Sequence, residues 1–162
     1  MKMPLHFGLA IILSIMVSAS IGLAEQIRFA DWVGIEETDP ATNTRTKEIG
    51  TFSGNRLSSI WLAIPVSGPD QIQLTLKSDK LIVSDYFSVK IDKIDNLTLR
   101  SGIKGCDGNC LTDQADPNGE LIKNMKRGLR IRIEYDSFQD VTQKPEFSLR
   151  GFSRAYRWLL AK

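Results

Sequence analysis

Between residues 71 and 77 apolar and polar side chains alternate without a break, and Ile72, Leu74 and Leu76 share one face. A period of two marks an extended strand with one buried face, whereas an amphipathic helix repeats its apolar residues three and four apart. The same alternation recurs at 27–33, 87–91, 96–100 and 129–135, the last with Leu129, Ile131, Ile133 and Tyr135 inward, and 57–66 reads as a further strand ending at Pro65. Shorter apolar runs at 80–83 and 145–149 add two further strands. Gly68-Pro69-Asp70 and Ser78-Asp79 are turn signals, and Pro65 suits a strand end, where a missing N–H is tolerated. The acidic, Thr-rich stretch 34–48 with its Asp39-Pro40 step reads as a loop, and Trp32 as a core anchor.

Only two segments switch to a helical period. Residues 116–128 read as a short helix with Asp116 as cap, Pro117 in the first turn, Lys126 and Arg127 at the C-terminal dipole and Gly128 as stop. Leu121, Ile122 and Met125 would dock on a sheet. Residues 151–160 place Phe152, Tyr156 and Leu159 at helical spacing, with Trp158 or Leu160 partly exposed. The expected fold is therefore mainly β: an antiparallel β-sandwich or barrel-like domain with one or two short helices near the C-terminus. The chain carries no internal repeat and no low-complexity tract.

The first residues address compartment. Met1 and Lys2 precede an apolar run from Leu5 to Leu23 that ends in Gly22-Leu23-Ala24, with small residues at the two places a signal peptidase reads. The run is near the roughly 17–25 residues needed to span a bilayer, but it is rich in Ser and Gly and lacks a basic flank. We read 1–24 as a cleaved signal peptide and 25–162 as a single domain large enough for a real core. Its expected location is the periplasm, with outer-membrane association or secretion as variants.

This leader holds His6, the only histidine. A mature chain without histidine has neither a Ser-His-Asp nor a Cys-His catalytic system, nor a His-ligated metal. No catalytic, metal or cofactor-binding residue is assigned, and no cofactor is expected. Paired carboxylates in the acidic half would be the raw material of a glycan-active enzyme, but no spacing singles out a pair. An EF-hand reading of Asp113, Asp116, Asn118 and Glu120 fails, because alignment on Gly119 puts Gln114 first and Met125 where the bidentate Glu belongs. Asn96-Leu97-Thr98 is formally a glycosylation sequon and carries little weight in a bacterial-looking leader context.

Charge is uneven along the chain. Residues 25–120 hold 10 Lys/Arg against 15 Asp/Glu, while residues 121–162 hold 10 against 4. A basic C-terminal third suggests acidic partners or anionic headgroups over nucleic acid, against the bland reading of a solvated face. The tail with Arg154, Arg157, Phe152 and Trp158 is expected to dock on the sheet in preference to lying on a membrane.

Cys106 and Cys110 are the only cysteines. Their C-x-x-x-C spacing, glycine-rich flanks and strand context do not match a helix-start redox motif, and zinc would need two more ligands. In an oxidising compartment a disulfide staple is the simplest state, with a redox pair as the alternative.

The second half resembles the invasion-associated locus B family of exported alphaproteobacterial proteins. The resemblance rests on Cys106-Asp107-Gly108-Asn109-Cys110, on 121–128 leading into the 129–135 strand, and above all on Phe147-Ser148-Leu149-Arg150-Gly151-Phe152-Ser153-Arg154-Ala155. Leu62-Ala63-Ile64-Pro65, 72–76 and Asp31-Trp32 look like the family's earlier strands. The family's usual extra cysteine pair after the first Trp is missing here. What the resemblance implies is a small periplasmic or outer-membrane-associated β-domain, linked in pathogens to host-cell invasion, without catalytic residues. The expected function is a non-enzymatic binding or accessory protein with a protein or envelope component as partner. Peripheral contact with an anionic membrane surface and no nucleic acid are the companion expectations. The alternative function is a thiol–disulfide accessory protein using Cys106 and Cys110.

Overall fold

The computed structural model describes residues 24–65, 70–92, 98–138 and 141–161. The leader up to residue 23, the Gly68-Pro69 turn and residues 96–97 of the sequon lie outside them. Twelve strands follow in chain order: β1 (Ala24–Phe29), β2 (Trp32–Thr38), β3 (Arg45–Phe52), β4 (Ser58–Ala63), β5 (Ile72–Ser78), β6 (Tyr86–Ile91), β7 (Thr98–Ser101), β8 (Ile103–Gly105), β9 (Cys110–Ala115), β10 (Arg130–Ser137), β11 (Val141–Gln143) and β12 (Glu146–Ser148). Helix α1 (Glu120–Arg127) stands between β9 and β10, and α2 (Phe152–Leu160) closes the described chain.

The strands form two antiparallel sheets and no closed barrel. The larger has the order β1-β2-β3-β4-β5-β9-β8; the smaller is β11-β10-β6-β7, with β12 also on β10. β11 and β12 lie along the same edge of β10, pairing with Tyr135–Ser137 and Arg130–Arg132 respectively. Pro145 sits at the break between them, as a residue without an N–H should.

The expected alternation decides which face is buried. Ile49, Ile60, Leu62, Ile72, Leu74, Leu76 and Leu111 of the large sheet are fully buried. They meet Phe87, Val89, Ile131 and Ile133 of the small sheet and the inward residues of both helices. Tyr135 ties the layers by donating its hydroxyl to Ser78 Oγ at 2.8 Å. Ile122 and Met125 dock α1; Phe152, Ala155, Tyr156 and Leu159 dock α2, with Trp158 partly buried and Leu160 exposed, as their spacing predicts.

Several expectations need correction. Residues 27–33 are not one strand but the tip of the β1–β2 hairpin, with Phe29 opposite Trp32. A two-residue connection preserves the period of two, so the alternation runs through it unchanged. The stretch 34–48 is mostly strand, and only its middle turns, where Asp39 Oδ1 accepts from the amides of Ala41 and Thr42 at 2.8 and 3.4 Å. Residues 80–83 give a single bridge, Ile82 to Ser137, and no strand. α1 begins at Glu120, not at Asp116, whose carboxylate instead accepts from Asn118 N at 2.8 Å. Leu129 is not inward: it precedes β10 and is 76 % exposed.

Candidate functional site

The sequence places a disulfide at Cys106 and Cys110, and they are joined. The bridge closes the β8–β9 hairpin at the far edge of the large sheet, where Gly105 pairs with Cys110. Cys110 is buried at 2 % exposure, and Cys106 and Asp107 hold positive φ of 50° and 54° in the tight turn.

Two of the stretches that carried the family resemblance, Asp31-Trp32 and the segment 147–152, meet in space. Trp32 is fully buried against Phe152, with ring centroids 4.9 Å apart, and donates Nε1–H to the Ser148 carbonyl at 2.9 Å. Ser148 Oγ donates to Asp31 Oδ2 at 2.7 Å, and Asp31 N donates to the Arg150 carbonyl at 3.3 Å. Gly151 has φ +95°, and a Cβ built there would stand 1.9 Å from the Phe29 carbonyl oxygen. This is a clasp between the first hairpin and the C-terminal segment. It is structural, since each of its groups is used within the protein.

Beside the clasp lies a groove of about 860 Å³. β1 forms one wall, the β3–β4 turn another, and residues 144–148 the third. Phe147 of β12 and Ser53 after β3 form a single bridge at its base. Four cations line it: Arg28, Arg56, Arg130 and Lys144. Its two carboxylates are engaged, Asp31 by Arg150 at 3.5 Å and Glu146 by Arg132 in a close ion pair and by Arg130 at 3.7 Å, while Lys144 pairs with Glu134 at 3.4 Å. The Arg132–Glu146 contact, a hydrogen bond from the guanidinium, holds the Arg132 pKa above its ordinary value. Among the described residues Arg28 and Arg56 have no carboxylate within 4.0 Å. The groove therefore carries a net positive field.

Local backbone strain collects at the same place. Among the described residues six non-glycine residues have positive φ, and for Asn43, Asp92 and Asp107 a short polar side chain makes that tolerable. Of the other three, Ala30 (φ 57°) and Arg56 (φ 61°) both line the groove. The turn that holds Arg56 is fixed by Arg56 N donating to the Ser53 carbonyl at 2.8 Å and by Leu57 N donating to Asn55 Oδ1 at 3.2 Å. A left-handed alanine or arginine costs about 1–2 kcal/mol, and such outliers persist where the surroundings over-determine them.

Charge counts missed this site. The basic excess lies after residue 120, yet Arg28 and Arg56 come from the half that is acidic overall. Only the folding of β12 back beside β1 gathers the four cations. Among the described residues no group of three or more His, Cys, Asp or Glu is arranged to hold a metal ion, and no helix is long and apolar enough to cross a membrane.

No family model matches the chain, and no curated protein matches its sequence. A solved structure does share the fold: the crystal structure of invasion-associated protein B from Bartonella henselae superposes with a TM-score of 0.65. The match covers 84 % of this chain and 95 % of that one, at 11 % sequence identity. At that identity the likeness establishes a common fold.

Proposed function

We propose that this chain is an exported member of the invasion-associated locus B family, a non-enzymatic accessory protein of the cell envelope. It works by binding an anionic envelope component in the groove between β1 and β12. The observation that carries the reading is the pair of guanidinium groups at Arg28 and Arg56, which face the groove without an acidic partner among the described residues. Supporting it are the apolar leader, the loss of the sole histidine with that leader, and the shared fold.

An unpaired surface cation paired by a ligand anion gains about 1 kcal/mol in high dielectric and several times that where water is partly excluded. Reversal of both arginines should therefore weaken binding at least roughly tenfold. The test is co-sedimentation of the purified 25–162 domain with isolated envelope membranes of the producing bacterium. Wild type should pellet at low salt and be released near 1 M ionic strength, where the screening length falls to about 3 Å. The Arg28→Glu/Arg56→Glu variant should remain in the supernatant. A domain that never pellets, or pellets equally with both substitutions, overturns the proposal.

A further inference from the structure

The large sheet has one covered and one open face, and register places the open-face side chains in straight rows across the strands. One row runs Arg28, Val33, Gly50, Trp61, Thr75, Thr112, each paired with the next on the neighbouring strand. The adjacent row runs Phe52, Ser59, Lys77. At a strand spacing of about 4.8 Å, Trp61 lies three strands, or about 14 Å, from the groove arginine Arg28 along one line.

Trp61 is laid down as a shelf. A Cβ added at Gly50 would stand 2.4 Å from the indole ring, so the missing side chain is what lets the ring rest on the sheet. Its Nε1–H donates to Ser59 Oγ at 2.9 Å, which fixes its rotation. Phe52, 49 % exposed, meets it edge-on with centroids 6.0 Å apart, and Phe52 also lines the groove. The ammonium of exposed Lys77 stands over the ring, 5.2 Å from its centroid.

We propose that the Trp61 shelf and the groove form one continuous site for an acidic saccharide, a chain of sugar rings bearing carboxylate or phosphate groups, of the bacterial envelope. This deepens, and rests on, the reading of the groove as an anion-binding site. A pyranose ring offers one face of weakly positive C–H groups, which suits the negative face of an indole lying flat. Its acidic substituents suit Lys77, whose flexible side chain would swing off the ring to meet them, and Arg28 and Arg56 further along. Thr75 and Thr112, whose hydroxyls bond each other at 3.0 Å, continue the row beyond Trp61. An acidic peptide would use the cations equally well but has no need of a flat indole in line with them.

The test titrates the 25–162 domain with three probes of equal length: oligogalacturonate, its methyl ester, and oligoglutamate. Binding should be tightest for oligogalacturonate, and Trp61→Ala and Phe52→Ala should each weaken it roughly tenfold or more while leaving oligoglutamate unchanged. Because Trp61→Ala also uncovers Gly50, circular dichroism and Phe52→Ala, an exposed position, guard against misfolding. Lys77→Glu should weaken oligogalacturonate and leave the methyl ester unaffected. Equal binding of oligoglutamate and oligogalacturonate, both insensitive to Trp61 and Phe52 but lost in Arg28→Glu/Arg56→Glu, overturns the shelf and leaves the groove standing. No binding of any probe by a domain that still pellets with envelope membranes also overturns the saccharide assignment.

Discussion

Gly151→Ala should be among the most damaging single methyl additions in this protein. At φ +95° an L-residue with a side chain is strained by about 1–2 kcal/mol. The added carbon would also stand 1.9 Å from the Phe29 carbonyl oxygen, a backbone atom that no rotamer change can move aside. Relief requires the segment 148–151 to lift away from the β1–β2 tip. That weakens three hydrogen bonds: Asp31 N to Arg150 O, Ser148 Oγ to Asp31, and Trp32 Nε1 to Ser148 O. At about 1 kcal/mol net for each bond, and with partial retention, the sum is about 3–5 kcal/mol. For a domain of this size that corresponds to a fall in Tm of roughly 10–15 °C. Urea unfolding followed by circular dichroism and tryptophan fluorescence measures it, with Gly54→Ala as the control. Gly54 also lies by the groove, but a Cβ there meets nothing within 4 Å and should change stability by under about 0.5 kcal/mol. A Gly151→Ala loss below about 1 kcal/mol would show that the clasp is not closely packed and would refute the reasoning.

Two further outcomes follow from other parts of the fold. Cys106→Ala/Cys110→Ala removes a bridge across only a few residues, so stability should drop by about 2 kcal/mol on the chain-entropy model while envelope binding persists; loss of binding with the fold intact would return the cysteines to a functional role. Tyr156→Phe deletes the hydroxyl that donates to the Pro117 carbonyl at 2.8 Å and should cost about 1 kcal/mol at neutral pH in urea unfolding. Burial, and secondarily the charge of Asp116, raises the Tyr156 pKa above 10.0. The folded state thus holds its proton longer than the unfolded state. The associated stability is complete below pH 10.0 and falls as pH rises from there through the folded pKa, so the alkaline decline should be shallower in Tyr156→Phe.

Hydrophobic period made β4, β5, β6, β7, β10 and β12, both helices and the buried role of Trp32 readable from residue order. What it did not show has physical causes. The β1–β2 tip escaped because Ala30-Asp31 carries none of the usual turn residues, and a two-residue link leaves the alternation in phase. β3 began inside an apparent loop because Arg45, Thr46, Lys47 and Glu48 are polar on both faces there, away from the core. β9 escaped because Thr112, Asp113 and Gln114 separate its apolar residues, although Leu111 is fully buried; Asp113 is held by an ion pair to Arg100. The groove and shelf depend on pairing between distant strands. Arg28 and Trp61 fall in one row only through three successive hairpin registers, and Arg56 joins them through a turn. In sequence each is an ordinary surface or strand residue.

The site from Arg28 to Trp61 is tested most directly by the indole N–H signals in a proton–nitrogen correlation spectrum. The chain has three tryptophans: Trp32 buried in the clasp, Trp158 packed on Phe29 on the covered side, and Trp61 on the open face. Assigned through single Trp→Phe variants and titrated with oligogalacturonate, the Trp61 signal should move saturably, with the backbone amides of Val33 and Gly50, while those of Trp32 and Trp158 hold still. A saturable shift confined to Trp158, or binding that leaves Trp61 unmoved, would contradict the assignment of this face as the binding surface.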